Sequence, residues 1–294
     1  MAPILNHDPR LHQRPRLWML AGTGEGPLLA ALLLQRGWAL RVSVVSAAAG
    51  RPYRALQVGA PLDVQVGPVV GTAAMAAQLQ QAAVQGAPFV AVIDATHPFA
   101  TEVSRCLRQA CRQQGQPLLT LAREPLAPTG ATLLTQLADL RTVDLRGARV
   151  LLAIGARHLP EAIACSPGAL HYARVLPSAT ALQLVSAAGL SPERIACLRP
   201  SGPEFAVEAA LVRRWRIDTI LCRQSGGLTE AGWRQVARAQ GCQLLMLARP
   251  RRDLDPPPLS IQGLLARLEA LDPAVASHAD STLRTSGGDP GAHH

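Results

Sequence analysis

Short runs that are apolar throughout recur between residues 17 and 247, most of them separated by a stretch of helical character. Leu17–Ala21, Leu40–Ser46, Asp63–Val66, Phe89–Ala95 and Pro117–Ala122 read as strands, with helices at Pro27–Arg36, Thr72–Gln85 and Thr101–Gln114. Strands without polar alternation are covered on both faces, which points to a parallel sheet with helices on each side. The pattern then restarts. Arg149–Ile154, Tyr172–Leu176, Ile195–Leu198, Thr219–Cys222 and Leu244–Leu247 are strand candidates, with helices near 179–188, 204–216 and 229–240. The expected fold class is therefore α/β, as two Rossmann-like domains with parallel sheets. Residues 16–125 form an N-terminal dinucleotide-binding domain and 126–271 a C-terminal one, between disordered ends at 1–15 and 272–294. Arg251–Pro258, with three consecutive prolines, reads as a linker before a short amphipathic helix at Ile261–Leu271.

The charge narrows the function. The chain carries a net +9, and all 29 of its cationic residues are arginine. The absence of lysine excludes Schiff-base and P-loop lysine chemistry. Residues 1–125 hold 11 arginines against 6 acids and the remainder 18 against 14, so the excess is spread evenly. A nucleic-acid binder concentrates its charge on one face or tail and uses aromatic platforms; this chain has only four Trp, two Tyr and three Phe. An acidic small molecule is the better match, with no nucleic acid and no membrane as partner. The six cysteines form no C-x-x-C pair and no zinc spacing with histidine, so no metal is expected and they read as buried thiols. No secretory segment or spanning apolar run is present, which points to the reducing cytoplasm. A monomer or small homo-oligomer is expected.

Chemistry in such sheets gathers at the carboxyl ends of the strands. Gly22, Thr23, Gly24, Glu25 and Gly26 follow the first strand and open a helix. Glycines there let a phosphate approach backbone N–H groups at a helix start. The spacing departs from G-x-G-x-x-G, because Pro27 stands near the third glycine's place, and a purely structural turn would look the same. After the second strand come Ser46 and Arg51, with no carboxylate. A hydroxyl and an arginine suit the 2′-phosphate of NADPH, with NADH possible; a plain surface arginine is the alternative. The fourth strand ends in Asp94-Ala95-Thr96-His97-Pro98-Phe99-Ala100. Asp94 or Thr96 could cap the following helix, and His97 could be a bonded core histidine. Alternatively, Thr96 and His97 line the pocket of a cofactor or substrate.

The Asp94–Ala100 segment, together with Gly22–Glu25, resembles the precorrin-6A reductase family of cobalamin biosynthesis. Arg174-Val175-Leu176-Pro177, Ser201-Gly202-Pro203 with Phe205, Arg223-Gln224-Ser225-Gly226-Gly227 and Arg249-Pro250 are similar to further elements of that family, so the resemblance runs from about Leu17 to Pro250. It departs at Arg223 and Trp233, where lysines are common. The resemblance implies NAD(P)H-dependent reduction of precorrin-6A, or its cobalt complex, to the 6B form, in a cleft between two α/β domains. It makes His97 and Thr96 the expected catalytic-pocket residues. Gly22, Thr23, Gly24, Glu25, Ser46, Arg51, Asp94 and Thr96 would hold the cofactor. The substrate is an acidic tetrapyrrole whose many carboxylates call for separate cations around a broad site. Arg123, Arg174, Arg199, Arg223 and Arg249 stand at or near strand ends, and the Ser225-Gly226-Gly227 turn is expected to offer open N–H groups to an anion.

Overall fold

The computed structural model describes residues 14–123, 126, 129–202, 204–251, 254 and 256–272. Apart from 14, 15 and 272, the expectations of disordered ends lie outside the described residues, as does Pro203 of the Ser-Gly-Pro element. Five parallel strands form the first sheet: β1 (Arg16–Ala21), β2 (Ala39–Val44), β3 (Leu62–Val66), β4 (Phe89–Ala95) and β5 (Leu118–Thr120), in the order β3-β2-β1-β4-β5. Helices α1 (Glu25–Gln35), α4 (Gly71–Val84) and α5 (Thr101–Gln113) connect them, with single turns α2 (Ala47–Gly50) and α3 (Arg54–Gln57) after β2. The strand period of two divides β1 between two cores. Leu17 and Met19 pack with Leu29 and Leu33 of α1, whereas Trp18 and Leu20 pack with Met75 and Leu79 of α4 and Leu107 of α5.

The second sheet has six parallel strands: β6 (Thr132–Leu134), β7 (Arg149–Ala153), β8 (Leu170–Val175), β9 (Ile195–Cys197), β10 (Thr219–Arg223) and β11 (Gln243–Leu247), ordered β6-β11-β10-β7-β8-β9. Helices α6 (Leu159–Cys165), α7 (Ala179–Ala187), α8 (Ala206–Trp215) and α9 (Gly227–Gln240) connect them. Its core joins Leu151, Ile220, Cys222 and Met246 to Phe205, Val212, Trp233 and Val236. Trp233 is fully buried, with its ring edge-on to Phe205 at 5.4 Å. Where the resembled family commonly has a lysine, this chain therefore has a core residue, and no anion contact is available there.

One expectation is corrected. The last helix, α10 (Ile261–Leu271), belongs to the first domain and not to the expected 126–271 domain, because Leu264, Leu265 and Leu268 are buried in the first domain's core with Leu17 and Leu29. Among the described residues, contacts gather those up to Ala122 with those after Arg251 in one unit, and those of 123–251 in the other. Leu259 explains the return: its N–H donates to Thr120 O (2.8 Å) and its O accepts from Ala122 N–H (2.7 Å), extending the β5 edge. Four elements gave no sequence signal: the single turns α2 and α3, β6 and α6. β6 is three residues long and exposes two of them, and α6 lasts seven residues. All six cysteines are free; Cys106, Cys111, Cys165 and Cys222 are buried and Cys197 and Cys242 partly so. Among the described residues no helix is long and apolar enough to cross a membrane, and no group of His, Cys, Asp or Glu could hold a metal ion.

Candidate functional site

In the first sheet the strand order reverses between β1 and β4, because β1 continues outward to β2 and β4 to β5. The two loops leaving these strands stand side by side at the carboxyl edge, where ligands of doubly wound sheets bind. The Gly22 N–H donates to Ala95 O at 3.3 Å, and a Cβ on Gly22 would stand 3.3 Å from the His97 nitrogen. Glycine is thus needed for the β1 loop to lie against the backbone of Thr96 and His97. Gly24 is the N-cap of α1 and gives it no side-chain cap, and a Cβ there would meet nothing within 4 Å. The start of α1 is open to a ligand above a rigid turn, which Gly26 N–H closes onto Thr23 O at 3.2 Å. Gly26 does the work expected of the third glycine one residue later. A Cβ on it would overlap the Tyr53 hydroxyl and come within 3.2 Å of the Ala21 Cβ.

Asp94 is 4% exposed and orients its own loop. One of its carboxylate oxygens accepts from the Thr96 N–H (3.1 Å) and the Thr96 hydroxyl (2.7 Å), and that hydroxyl lies 3.1 Å from Ser104 Oγ on α5. The N-cap of α5 is Ala100, with no side-chain bond, so neither Asp94 nor Thr96 caps that helix. His97 Nδ1 accepts from the Phe99 N–H at 3.2 Å, and the two rings lie 5.7 Å apart. With Nδ1 as acceptor, the neutral imidazole carries its proton on Nε2. His97 is therefore a partly exposed loop residue at the switch point, and not a core histidine. Ser46 is exposed just beyond β2, where its hydroxyl accepts from the Ala49 N–H at 3.3 Å and caps α2; Arg51 is exposed in the turn that follows.

The second sheet reverses between β7 and β10. Arg223 ends β10, where burial and then the charge of Arg157 bring its pKa down to about 10. The turn after it differs from expectation. The Ser225 N–H donates to Arg223 O (2.8 Å), and the Gly226 N–H to the Glu230 carboxylate (2.8 Å), which Arg234 holds at 2.9 and 2.8 Å. Two of the turn's N–H groups are thus committed to the protein itself, leaving the first turn of α9 at the exposed Gly227. Arg249 follows β11. Its N–H donates to Gln224 Oε1 (3.3 Å) and its Nη1 to Arg123 O (2.6 Å), which brings Arg123, Arg249 and the β10 turn together. Arg249 Nε and Nη2 are buried without a hydrogen-bond partner among the described residues. Arg174 stands apart from these. It is buried in an ion pair with Glu208 at 3.4 Å, and burial lowers its pKa. Arg199 is exposed just beyond β9. Sequence pattern did not single out Glu208, Glu230 or Gly155. Only an acid in the first turn of a helix marks the two glutamates, and such acids are common on surfaces.

A glycine turn at the switch point of one parallel sheet, and a second α/β domain with arginines at its own strand ends, define a two-domain Rossmann-like α/β protein. The family model described as "Precorrin-6x reductase CbiJ/CobK" matches residues 16–269. The chain belongs to that family. It is 31% identical to the cobalt-precorrin-6A reductase of Synechocystis over 80% of this chain and 88% of the relative. It is 35% identical to the precorrin-6A reductase of Rhodococcus erythropolis over 80% and 89%. Among solved structures, a CobK precorrin-6A reductase superposes with a TM-score of 0.67 at 26% identity, covering 88% of this chain and 97% of the other.

Proposed function

We propose that this protein reduces the macrocycle of precorrin-6A, metal-free or as its cobalt complex, to the 6B form in cobalamin biosynthesis, with NADPH as reductant. The observation that carries this is the family match across both domains, taken with the open glycine turn beside Thr96 and His97. That turn fits a dinucleotide. Gly24 leaves space where a side chain would stand, and the start of α1 lacks a side-chain cap. Gly22, Thr23, Gly24 and Glu25 would hold the pyrophosphate. Ser46 and Arg51, on the same sheet edge one strand away, would hold the ribose and its 2′-phosphate.

When bound, the nicotinamide supplies the hydride for one ring carbon, while a proton is added at the neighbouring carbon. The chain's own residues do the rest. Asp94 fixes the Thr96 hydroxyl, which presents the loop to the ring. The His97 N–H at Nε2, held in that tautomer by Phe99, is the proton-bearing group at the switch point. Arg123, Arg223, Arg249 and the exposed start of α9 at Gly227 bind the macrocycle's carboxylates; the bare Nε and Nη2 of Arg249 support this assignment. Arg174, already neutralised by Glu208, contributes mainly by fixing the end of β8. The enzyme works in the cytoplasm as a monomer or small homo-oligomer.

Purified protein is expected to oxidise NADPH only when precorrin-6A or its cobalt complex is present. No oxidation with either, in protein that binds NADPH by calorimetry, would remove the assigned reaction. Arg51→Ala is expected to raise the KM for NADPH about tenfold and that for NADH less than twofold, the loss of one charge-assisted phosphate contact. Equal effects on both cofactors would remove the 2′-phosphate from Arg51.

A further inference from the structure

The first domain holds a cavity of about 210 Å³ at the β5 edge of its sheet, which the proposed function does not use. Arg108 and Arg112 line it from successive turns of α5, with the buried Cys111 between them in sequence. Leu118 and Thr120 line it from β5. Leu254 and Pro256 line it from the segment that returns to the β5 edge at Leu259. All of these residues belong to one domain. None is shared with the glycine turn or the Asp94–Ala100 loop.

The lining is one-sided in charge. Among the described residues it has two cations and no carboxylate. Neither arginine makes a hydrogen bond or an ion pair among the described residues. Arg105, a turn earlier on α5, is by contrast held by Glu102 at 2.6 Å. The two arginines are not spent on closing the helix either. The carbonyls of Ala110, Cys111 and Arg112 accept from Gln114 (3.1 Å), Gln116 (2.8 Å) and Gly115 (3.3 Å) N–H groups. Like charges four residues apart on a helix repel each other, and an anion between them relieves this. The thiol adds no negative charge, because burial, then Asp94, push the Cys111 pKa up to about 12. Gln116 also lines the cavity, but its amide N–H groups are taken by the Phe89 and Val90 carbonyls at 2.9 and 3.2 Å.

We propose that this cavity is a second ligand site, which takes a small organic phosphomonoester. The phosphate sits between Arg108 and Arg112, where a dianion answers two cations. The Thr120 hydroxyl is a further donor. The short carbon body of the ligand lies against Leu118, Leu254 and Pro256. The volume sets the size of that body. At roughly 30 Å³ for each water, 210 Å³ is the space of about seven waters. Sites for drug-sized ligands begin near 300 Å³, so this cavity takes neither a dinucleotide nor the macrocycle. It is therefore separate from both sites of the proposed reaction.

The test titrates propyl phosphate, inorganic phosphate and butyrate into the full chain with NADPH in excess, by calorimetry at constant ionic strength. Propyl phosphate should bind at least tenfold more tightly than inorganic phosphate, since each buried CH₂ is worth roughly fourfold. Arg108→Gln and Arg112→Gln should each weaken it about tenfold, and Arg51→Ala less than twofold. Bound propyl phosphate should slow hydrogen exchange across residues 108–120 and not across 22–26. No detectable binding of propyl phosphate would overturn the site outright. Butyrate binding as tightly as propyl phosphate would overturn the phosphate, and equal binding of the two phosphates would overturn the organic body. Binding lost in Arg51→Ala and kept in Arg108→Gln would place the anion at the cofactor turn instead. Asp253 and Asp255 flank Leu254 in sequence and lie outside the described residues. Replacing both with asparagine should leave the affinity within twofold. A tenfold gain there would make the arginines counter-ions of the chain's own acids, and the proposal falls.

Discussion

Glu208→Ala should destabilise the second domain by about 3–5 kcal/mol, the range for breaking a buried ion pair by removing one partner. The Glu208 carboxylate is 0% exposed. It accepts from Arg174 Nη2 at 3.4 Å, from the Ser201 N–H at 3.3 and 3.4 Å to its two oxygens, and from the Ser201 hydroxyl. It therefore joins the end of β8 to the segment between β9 and α8. Its removal leaves the Arg174 guanidinium buried with no counter-charge, while the donors of the exposed Ser201 turn to water. The melting temperature of that domain should fall by roughly 10 °C. The paired replacement Arg174→Met with Glu208→Leu removes both charges at similar volume and should recover most of the loss. A Glu208→Ala penalty below about 1 kcal/mol would mean that the pair is solvated and not structural. The double variant also reads the role of Arg174. An unchanged KM for precorrin-6A makes it a structural cation, and a raised one makes it a substrate contact.

The fold was more legible than the site, for a physical reason. Strands buried on both faces must be apolar throughout, so β4 could be placed as Phe89–Ala95 from pattern alone and most other elements fell within a residue or two. Elements that leave little apolar trace were not: the three residues of β6, and α10, whose apolar stripe gives no clue to which sheet it packs on. The loops at Gly22 and Asp94 could be singled out because backbone approach demands glycine and a strand end exposes polar groups. What the loops do with their hydrogen bonds could not. The Ser225–Gly227 turn looks like an open anion nest, yet Glu230, four residues past Gly226, fills one of its donors. Arg174 looks like the other strand-end arginines, yet Glu208, 34 residues away, neutralises it. Both corrections depend on partners distant in sequence or on the far side of a turn, and residue type does not encode them.

Gly26→Ala should destabilise the first domain by about 1–3 kcal/mol, although alanine favours a helix by about 1 kcal/mol over glycine. Gly26 lies in the first turn of α1, and the added methyl would overlap the hydroxyl of Tyr53, itself 2% exposed. That hydroxyl has no hydrogen-bond partner among the described residues, and burial raises its pKa above the ordinary value. It therefore bears a desolvation cost with no bond in return. Tyr53→Phe alone should be neutral or stabilising. With the hydroxyl gone, the nearest ring atom is 3.5 Å from the new methyl, an ordinary contact, and the remaining approach is Ala21 Cβ at 3.2 Å. Gly26→Ala in the Tyr53→Phe background should therefore cost less than 1 kcal/mol, a coupling of 1 kcal/mol or more by double-mutant cycle. The same cycle should appear in function. Gly26→Ala shifts the start of α1, so the KM for NADPH rises while that for precorrin-6A holds, and Tyr53→Phe brings it back. Additive effects of the two substitutions on melting temperature would show that the helix start is not seated on Tyr53. An NADPH KM insensitive to Gly26→Ala would take the pyrophosphate away from this turn.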